Sequence, residues 1–246
     1  MALQEDFENA GNWLFRWRSY LPLILTLLFL ISLADYDYPG DSDFTRYAWE
    51  VLCFMVSMLG LAIRVFTVGH TPSGTSGRNT QKQVAETLNT SGIYSLVRNP
   101  LYLGNFFMGL GIALFACLWW FALIYTLLFW LYHERIIFAE EAFLRKKFGD
   151  AYMEWADKTP VFIPKFKDYV KPALPFSTKT AISREANSYF AVVVLIAILE
   201  SVSNAAVGGH AYLSKGWLYL LEISFVLWIV IRLIRKLTNF FQVEGR

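Results

Sequence analysis

The sequence predicts an all-α fold, a polytopic membrane helical bundle of about six transmembrane helices, and three observations carry that expectation. The chain has 246 residues, of which 56% are hydrophobic and only 17% charged, whereas a soluble domain carries about a quarter charged residues. Its apolar runs are long and nearly free of charge, as a hydrocarbon environment requires. Every second segment between those runs is basic.

The expected spans are Tyr20–Leu33, Tyr47–Val68, Leu101–Leu118, Phe121–Phe138, Tyr189–Val207 and Trp217–Ile234. About 20 residues of helix cross the hydrocarbon layer, so the first run is short and borrows length from Trp13–Trp17. Only Trp119 and Trp120 separate the third and fourth runs. A tight helical hairpin follows, with its two indoles at a membrane–water interface. Arg16 and Arg18 precede the first run, and the acidic loop Ala34–Arg46 follows it. Arg78, Lys82 and Arg98 mark the next loop, and Arg145, Lys146, Lys147, Lys158, Lys165, Lys167, Lys171, Lys179 and Arg184 follow the fourth run. By the positive-inside rule, both termini and the two long loops are expected in the cytoplasm. The expected organisation is a two-helix segment over 1–68, a catalytic core over 69–168 and a two-helix extension over 169–246.

Composition also excludes functions. A net charge of +2 gives no basis for nucleic-acid binding. Cys53 and Cys117 lie inside apolar runs without ligand spacing, so neither a disulfide nor a metal is expected. The acidic run from Asp35 to Asp43 lacks a calcium-loop ligand pattern and reads as a solvated outer loop. Glu5, Asp6 and Glu8 do not fit a cleavable signal.

The chemistry concentrates between Glu86 and Gly149. Asn89, Ser91 and Gly92 form a polar turn that runs into Arg98-Asn99-Pro100. Proline suits a helix start, because its missing N–H would be unpaired there anyway. The N-terminus of that helix, beside Arg98, favours anionic groups. At the other end of the hairpin, His133, Glu134, Arg135, Glu140 and Glu141 gather where the fourth run leaves the apolar layer. A tight hairpin returns its two ends to one place, so Tyr102 and Glu140 are expected to be neighbours. One wall is then cationic and the other anionic, which suits a zwitterion with a sulfonium charge. The loop Thr71–Gln83, with its glycines, hydroxyls and cations, reads either as a linker or as a phosphate-binding lid.

The ordered set TLxTSGxY (Thr87–Tyr94), RxPxYxG (Arg98–Gly104), apolar hairpin and EE…FGxxY (Glu140–Tyr152) resembles the isoprenylcysteine carboxyl methyltransferase family and its membrane phospholipid methyltransferase relatives. The resemblance covers about Gly69–Pro164. It implies an S-adenosyl-L-methionine-dependent methyltransferase that acts on a lipid or lipidated substrate at the cytoplasmic interface. It further implies cofactor contacts from Glu86, Thr87, Leu88, Asn89, Tyr94, Asn99, Pro100, Leu101, Tyr102 and Glu140. It places Arg98 and the His133–Arg135 region nearest the acceptor; as catalytic residues, Arg98 would hold an anionic oxygen, and Glu141 or His133 would be the base for an amine acceptor. Arg78, Lys82, Arg98 and Arg135 are the expected head-group cations. Three positions depart from the family pattern: Glu86 and Asn99 stand where it usually has His, and Ile136 stands where the prenylcysteine enzymes have Arg.

The acceptor stays open among a prenylcysteine carboxylate, a lipid phosphate and a phospholipid amine. Two other classes compete, a sterol-reductase-like enzyme using NADPH and a small transporter with Glu200 and Glu222 as its polar pathway. Those two carboxyls are expected at one depth, hydrogen-bonded to each other. Arg64 is expected to reach out to lipid head groups.

Overall fold

The structure is a computed structural model, and it describes residues 3–17, 37, 40, 42–72, 74 and 85–246. Among these the fold is all-helical: α1 (Leu3–Trp17), α2 (Asp43–His70), a 3-10 turn (Gly92–Ser95), α3 (Pro100–Leu114), α4 (Trp119–Phe148), α5 (Asp150–Ala156), α6 (Thr178–Gly208) and α7 (Lys215–Leu237). The expected span Tyr20–Leu33 lies outside the described residues.

Local chemistry sets the boundaries. The Ser42 hydroxyl accepts the Thr45 amide at the start of α2, and Ser177 does the same for Thr180 at the start of α6. These side chains pair N–H groups that the first helical turn leaves without partners. Pro100 opens α3, as its fixed φ favours. Arg145, Lys146 and Lys147 fill the last turn of α4, where cations complement the helix dipole. Gly209, at φ 74°, ends α6 in the left-handed region.

Helices α2, α4, α6 and α7 are long and apolar enough to cross a membrane. Their outward faces carry exposed Leu127, Leu131, Ile223 and Val226, an arrangement that suits lipid and not water. The chain is an integral membrane protein. The third expected span is shorter than anticipated: α3 has 15 residues, about 22 Å of helix. Phe115 and Ala116 leave the helix but stay buried in the core, so the turn tucks inward before α4 begins at Trp119.

Small residues let α2 and α3 touch along their backbones. A Cβ on Gly60 would stand 2.3 Å from the Gly104 carbonyl, and one on Gly111 would stand 2.2 Å from the Ser57 hydroxyl. The Ser57 hydroxyl donates to the Met108 carbonyl at 2.9 Å. The core beside this contact joins Cys53, Phe115, Val192, Ile196, Leu199 and Trp217. The amphipathic α1 lies along α4, where the Tyr132 hydroxyl donates to the Leu14 carbonyl at 3.2 Å and Phe7 meets Phe138 edge-on.

Two expectations about intramembrane charge are corrected. Glu200 does not pair with Glu222. It is fully buried near the end of α6 and accepts the Ser214 amide at the start of α7, where a helix N-terminus offers unpaired N–H groups. Glu222, two turns into α7, is exposed. Buried Glu50 of α2 accepts the Trp217 indole at 2.8 Å and completes the tether between α2 and α7. Arg64 does not reach outward either. Its Nε and Nη2 each donate to Glu185 at 2.8 Å, and its Nη1 donates to Asn105 at 2.6 Å. A bidentate partner on α6 satisfies the guanidinium inside the bundle more fully than a distant head group would.

Candidate active site

The site is built where the two ends of the α3–α4 hairpin return to one level. The approach to α3 is held by backbone pairing with the chain that follows α5. The Gly92 amide donates to Val170, the Arg98 amide to Pro160, and the Lys165 amide to the Leu96 carbonyl. Gly92 takes φ 61°, which lets the chain turn into the 3-10 segment. The Trp155 indole donates to the Tyr94 carbonyl at 3.0 Å, and the Asn99 amide group donates to Val161 at 3.2 Å. This lacing fixes the position of Tyr94 and the direction in which α3 sets out.

At the centre the Tyr102 hydroxyl donates to Glu140 Oε1 at 3.0 Å. The His133 ring packs edge-on against Tyr102, with centroids 4.9 Å apart, and stacks on Phe129 at 3.8 Å. His133 Nδ1 lies 3.0 Å from the Phe129 carbonyl. A carbonyl only accepts, so Nδ1 carries a proton and Nε2 is left with the lone pair in the neutral ring.

Beside this group lies a second one. Arg98 Nη1 stands 2.9 Å from Glu141 Oε1, with both side chains largely enclosed. Tyr152 of α5 is 1% exposed and lies against both. Burial, and then the Glu141 charge, push its phenol up to about 12, with Arg98 opposing. The Tyr94 phenol is also raised, first by burial and then by Glu140, with Arg184 opposing. Both phenols are therefore neutral donors near neutral pH.

Glu86 and Thr87 are exposed, while Leu88, Asn89 and Leu101 are half-buried and Pro100 is buried. The Glu86 amide donates to the Gly74 carbonyl at 3.0 Å. Arg78 and Lys82 lie outside the described residues. Arg135 is not brought to the Tyr102–Glu140 group, because α4 points its guanidinium over the Phe7 ring of α1 at 3.5 Å. Five positions along a helix rotate Arg135 well away from the face of Glu140. Two residues near the site have no role assigned by the sequence. Tyr152 closes the FGxxY motif, and that was its available signal. Arg184 sits in a helix with no motif at all.

A carboxylate, a phenol and an imidazole thus meet at Glu140, Tyr102 and His133, with the Arg98–Glu141 ion pair beside them. Among the described residues, no three His, Cys, Asp or Glu side chains gather as a metal site would need.

Residues 50–151 match the phospholipid methyltransferase family. The protein-S-isoprenylcysteine O-methyltransferase of Schizosaccharomyces pombe is 38% identical over 75 residues, which is 30% of this chain and 32% of that protein. Its counterpart in Xenopus laevis is 36% identical over 87 residues, 35% of this chain and 30% of the relative. Protein-S-isoprenylcysteine O-methyltransferase B of Arabidopsis thaliana is 27% identical over 148 residues, 56% of this chain and 72% of the relative. The chain spans about a third of the length of the first two relatives. No solved structure matches. Residues 50–151, which hold Arg98, Tyr102, Glu140 and Glu141, are thus similar to the phospholipid methyltransferase family, and shorter stretches of the chain are similar to protein-S-isoprenylcysteine O-methyltransferases.

Proposed function

We propose that the protein transfers a methyl group from S-adenosyl-L-methionine to an anionic oxygen on a lipid or lipidated acceptor. The observation that carries this reading is the Tyr102–Glu140 hydrogen bond, set beside the Arg98–Glu141 pair at one end of the hairpin. The family match gives the reaction class.

When bound, S-adenosyl-L-methionine supplies a methyl group activated by a sulfonium leaving group. Glu140 and Tyr102 orient the positively charged part of the donor, and Tyr94 walls it. Arg98 holds the acceptor oxygen by charge-assisted hydrogen bonds. An anionic oxygen needs alignment but no general base. Glu141 is engaged with Arg98, so it is not poised as the base that an amine acceptor would need. His133 Nε2 is the candidate base should the acceptor be an amine. The acceptor tail enters from the bilayer between helices while its head group meets the hairpin end.

The site and both termini are proposed to face the cytoplasm, in line with the alternating basic loops. The test of function uses detergent-purified protein, labelled methyl donor and a total lipid extract. Label in a lipid ester or phosphate ester supports the proposal. Label in methylated phosphatidylethanolamine reassigns the acceptor, and no transfer either to any lipid or to an added prenylated cysteine overturns the reading.

A further inference from the structure

The chain after α5, beyond the matched residues 50–151, leaves the approach to α3 and rejoins it. The Pro160 carbonyl accepts the Arg98 amide at 2.9 Å, and the Lys165 amide donates to the Leu96 carbonyl at 3.0 Å. Between these ties runs a short loop with Val161, Phe162 and Ile163 at its tip. The Phe162 ring meets Phe106 of α3 and Trp130 of α4, with centroids 5.8 and 5.5 Å away. Phe106 lies about 6 Å further along α3 than Tyr102, and Trp130 about 15 Å before Glu140 on α4. Exposed Leu127 and Leu131 share that stretch of α4. The loop therefore reaches past the Tyr102–Glu140 level and along the apolar part of the hairpin.

Beside the Phe162 contact, Ile163 is 78% exposed and Phe166 79% exposed. Large apolar side chains are seldom left so open to water, and grouped ones mark a partner surface. A loose loop does not explain them, because the backbone is tied on both sides, and Val170 beyond them is bonded to Gly92 and Ser95. Pro160 and Pro164 have no N–H to leave unpaired in an apolar layer. Lys165 and Lys167 flank Phe166, and both are exposed. Asp168, the acid beside them, stands 3.8 Å from Lys165. Lysines with apolar stems and charged heads suit the level of lipid phosphates, and an aromatic ring between them suits the same boundary. We propose that residues 160–167 form a membrane-dipping loop whose partner is the lipid of the leaflet facing the site. Ile163 enters the acyl layer, Phe166 lies at its boundary, and Lys165 and Lys167 hold head-group phosphates. The same loop bonds the backbone of Leu96 and Arg98, so its seat in the leaflet sets the depth at which Arg98 meets a lipid head group. This inference rests on the membrane location of the chain and not on the identity of the methyl donor.

The test uses the full chain reconstituted in vesicles of phosphatidylcholine and phosphatidylglycerol. In a background lacking Cys53 and Cys117, a cysteine at Ile163 carries an environment-sensitive nitrobenzoxadiazole label. A control label sits at Lys147, exposed in the last turn of α4. That helix is about 45 Å long against about 30 Å of hydrocarbon, so its end stands in water. Emission from position 163 is expected at shorter wavelength than from 147, and spin-labelled lipid should quench it severalfold more. K165E combined with K167E should weaken that quenching while leaving the unfolding midpoint in detergent unchanged. A label at 163 as polar and as weakly quenched as the one at 147 overturns the proposal. Quenching that the charge reversal leaves intact overturns the lysine–phosphate contacts.

Discussion

The Tyr102 hydroxyl and the Glu140 carboxylate, 38 positions apart in sequence, meet at 3.0 Å across the α3–α4 hairpin. The contact draws one polar group from each arm to the same level. The hairpin turn at the other end is buried in the core, so neither arm can slide without disturbing packed side chains.

If this pair orients the donor, Tyr102→Phe should lower methyl transfer by roughly 10-fold, the usual worth of a hydrogen bond to a charged group. Glu140→Gln should cost more, because it also removes the charge. Initial rates with labelled donor and lipid extract give the comparison. Rates near those of the unmodified protein for both variants would remove Tyr102 and Glu140 from the site.

Arg98 and Glu141 form a largely enclosed pair. Arg98→Ala leaves Glu141 without its countercharge and should cost about 2–4 kcal/mol, somewhat under the cost for a fully buried pair. Replacing both, with Arg98→Met and Glu141→Leu, should restore most of the thermal stability but not the methyl transfer. Recovery of turnover in the double variant would make the pair structural only.

The bidentate Arg64–Glu185 pair joins α2 to α6, with Glu185 buried and Arg64 half-buried. Arg64→Ala strands a carboxylate in the bundle and should lower stability by about 3–5 kcal/mol. Glu185→Gln keeps hydrogen bonding and should cost less. Thermal unfolding in detergent distinguishes them, and an unchanged midpoint for Arg64→Ala would place the guanidinium at the membrane surface after all.

Gly111 faces the Ser57 hydroxyl and the Cys53 carbonyl so closely that a Cβ would overlap both. Gly111→Val should force α2 and α3 apart and cost at least about 1–3 kcal/mol, as overpacking does. A Cβ on Gly208 would meet nothing within 4 Å, so Gly208→Ala is the neutral control. Equal effects at the two positions would argue against the tight helix contact.

Orientation is tested with single cysteines in a background lacking Cys53 and Cys117. An impermeant thiol reagent applied to intact cells should label a cysteine at Ser42, before α2, and spare one at Ser177, before α6. The opposite pattern would put the site on the outer face of the membrane.

Much of this was legible in the sequence because the bilayer limits the options. A chain with long apolar runs must form helices there, and α2, α4, α6 and α7 contain the runs anticipated for them. The convergence of Tyr102 and Glu140 was legible too, since two antiparallel helices joined by a short turn return to one level. What the sequence alone could not determine was rotation and partnership. Arg135 is adjacent in sequence to the expected site yet turns onto Phe7. Arg64 reads as a surface cation until Glu185, 121 positions away, stands beside it. Glu200 finds the start of α7 and not Glu222. Hydropathy records how much of a helix is apolar, whereas the packing of one helix against another decides which few polar side chains meet. Those meetings are long-range contacts that no local pattern encodes.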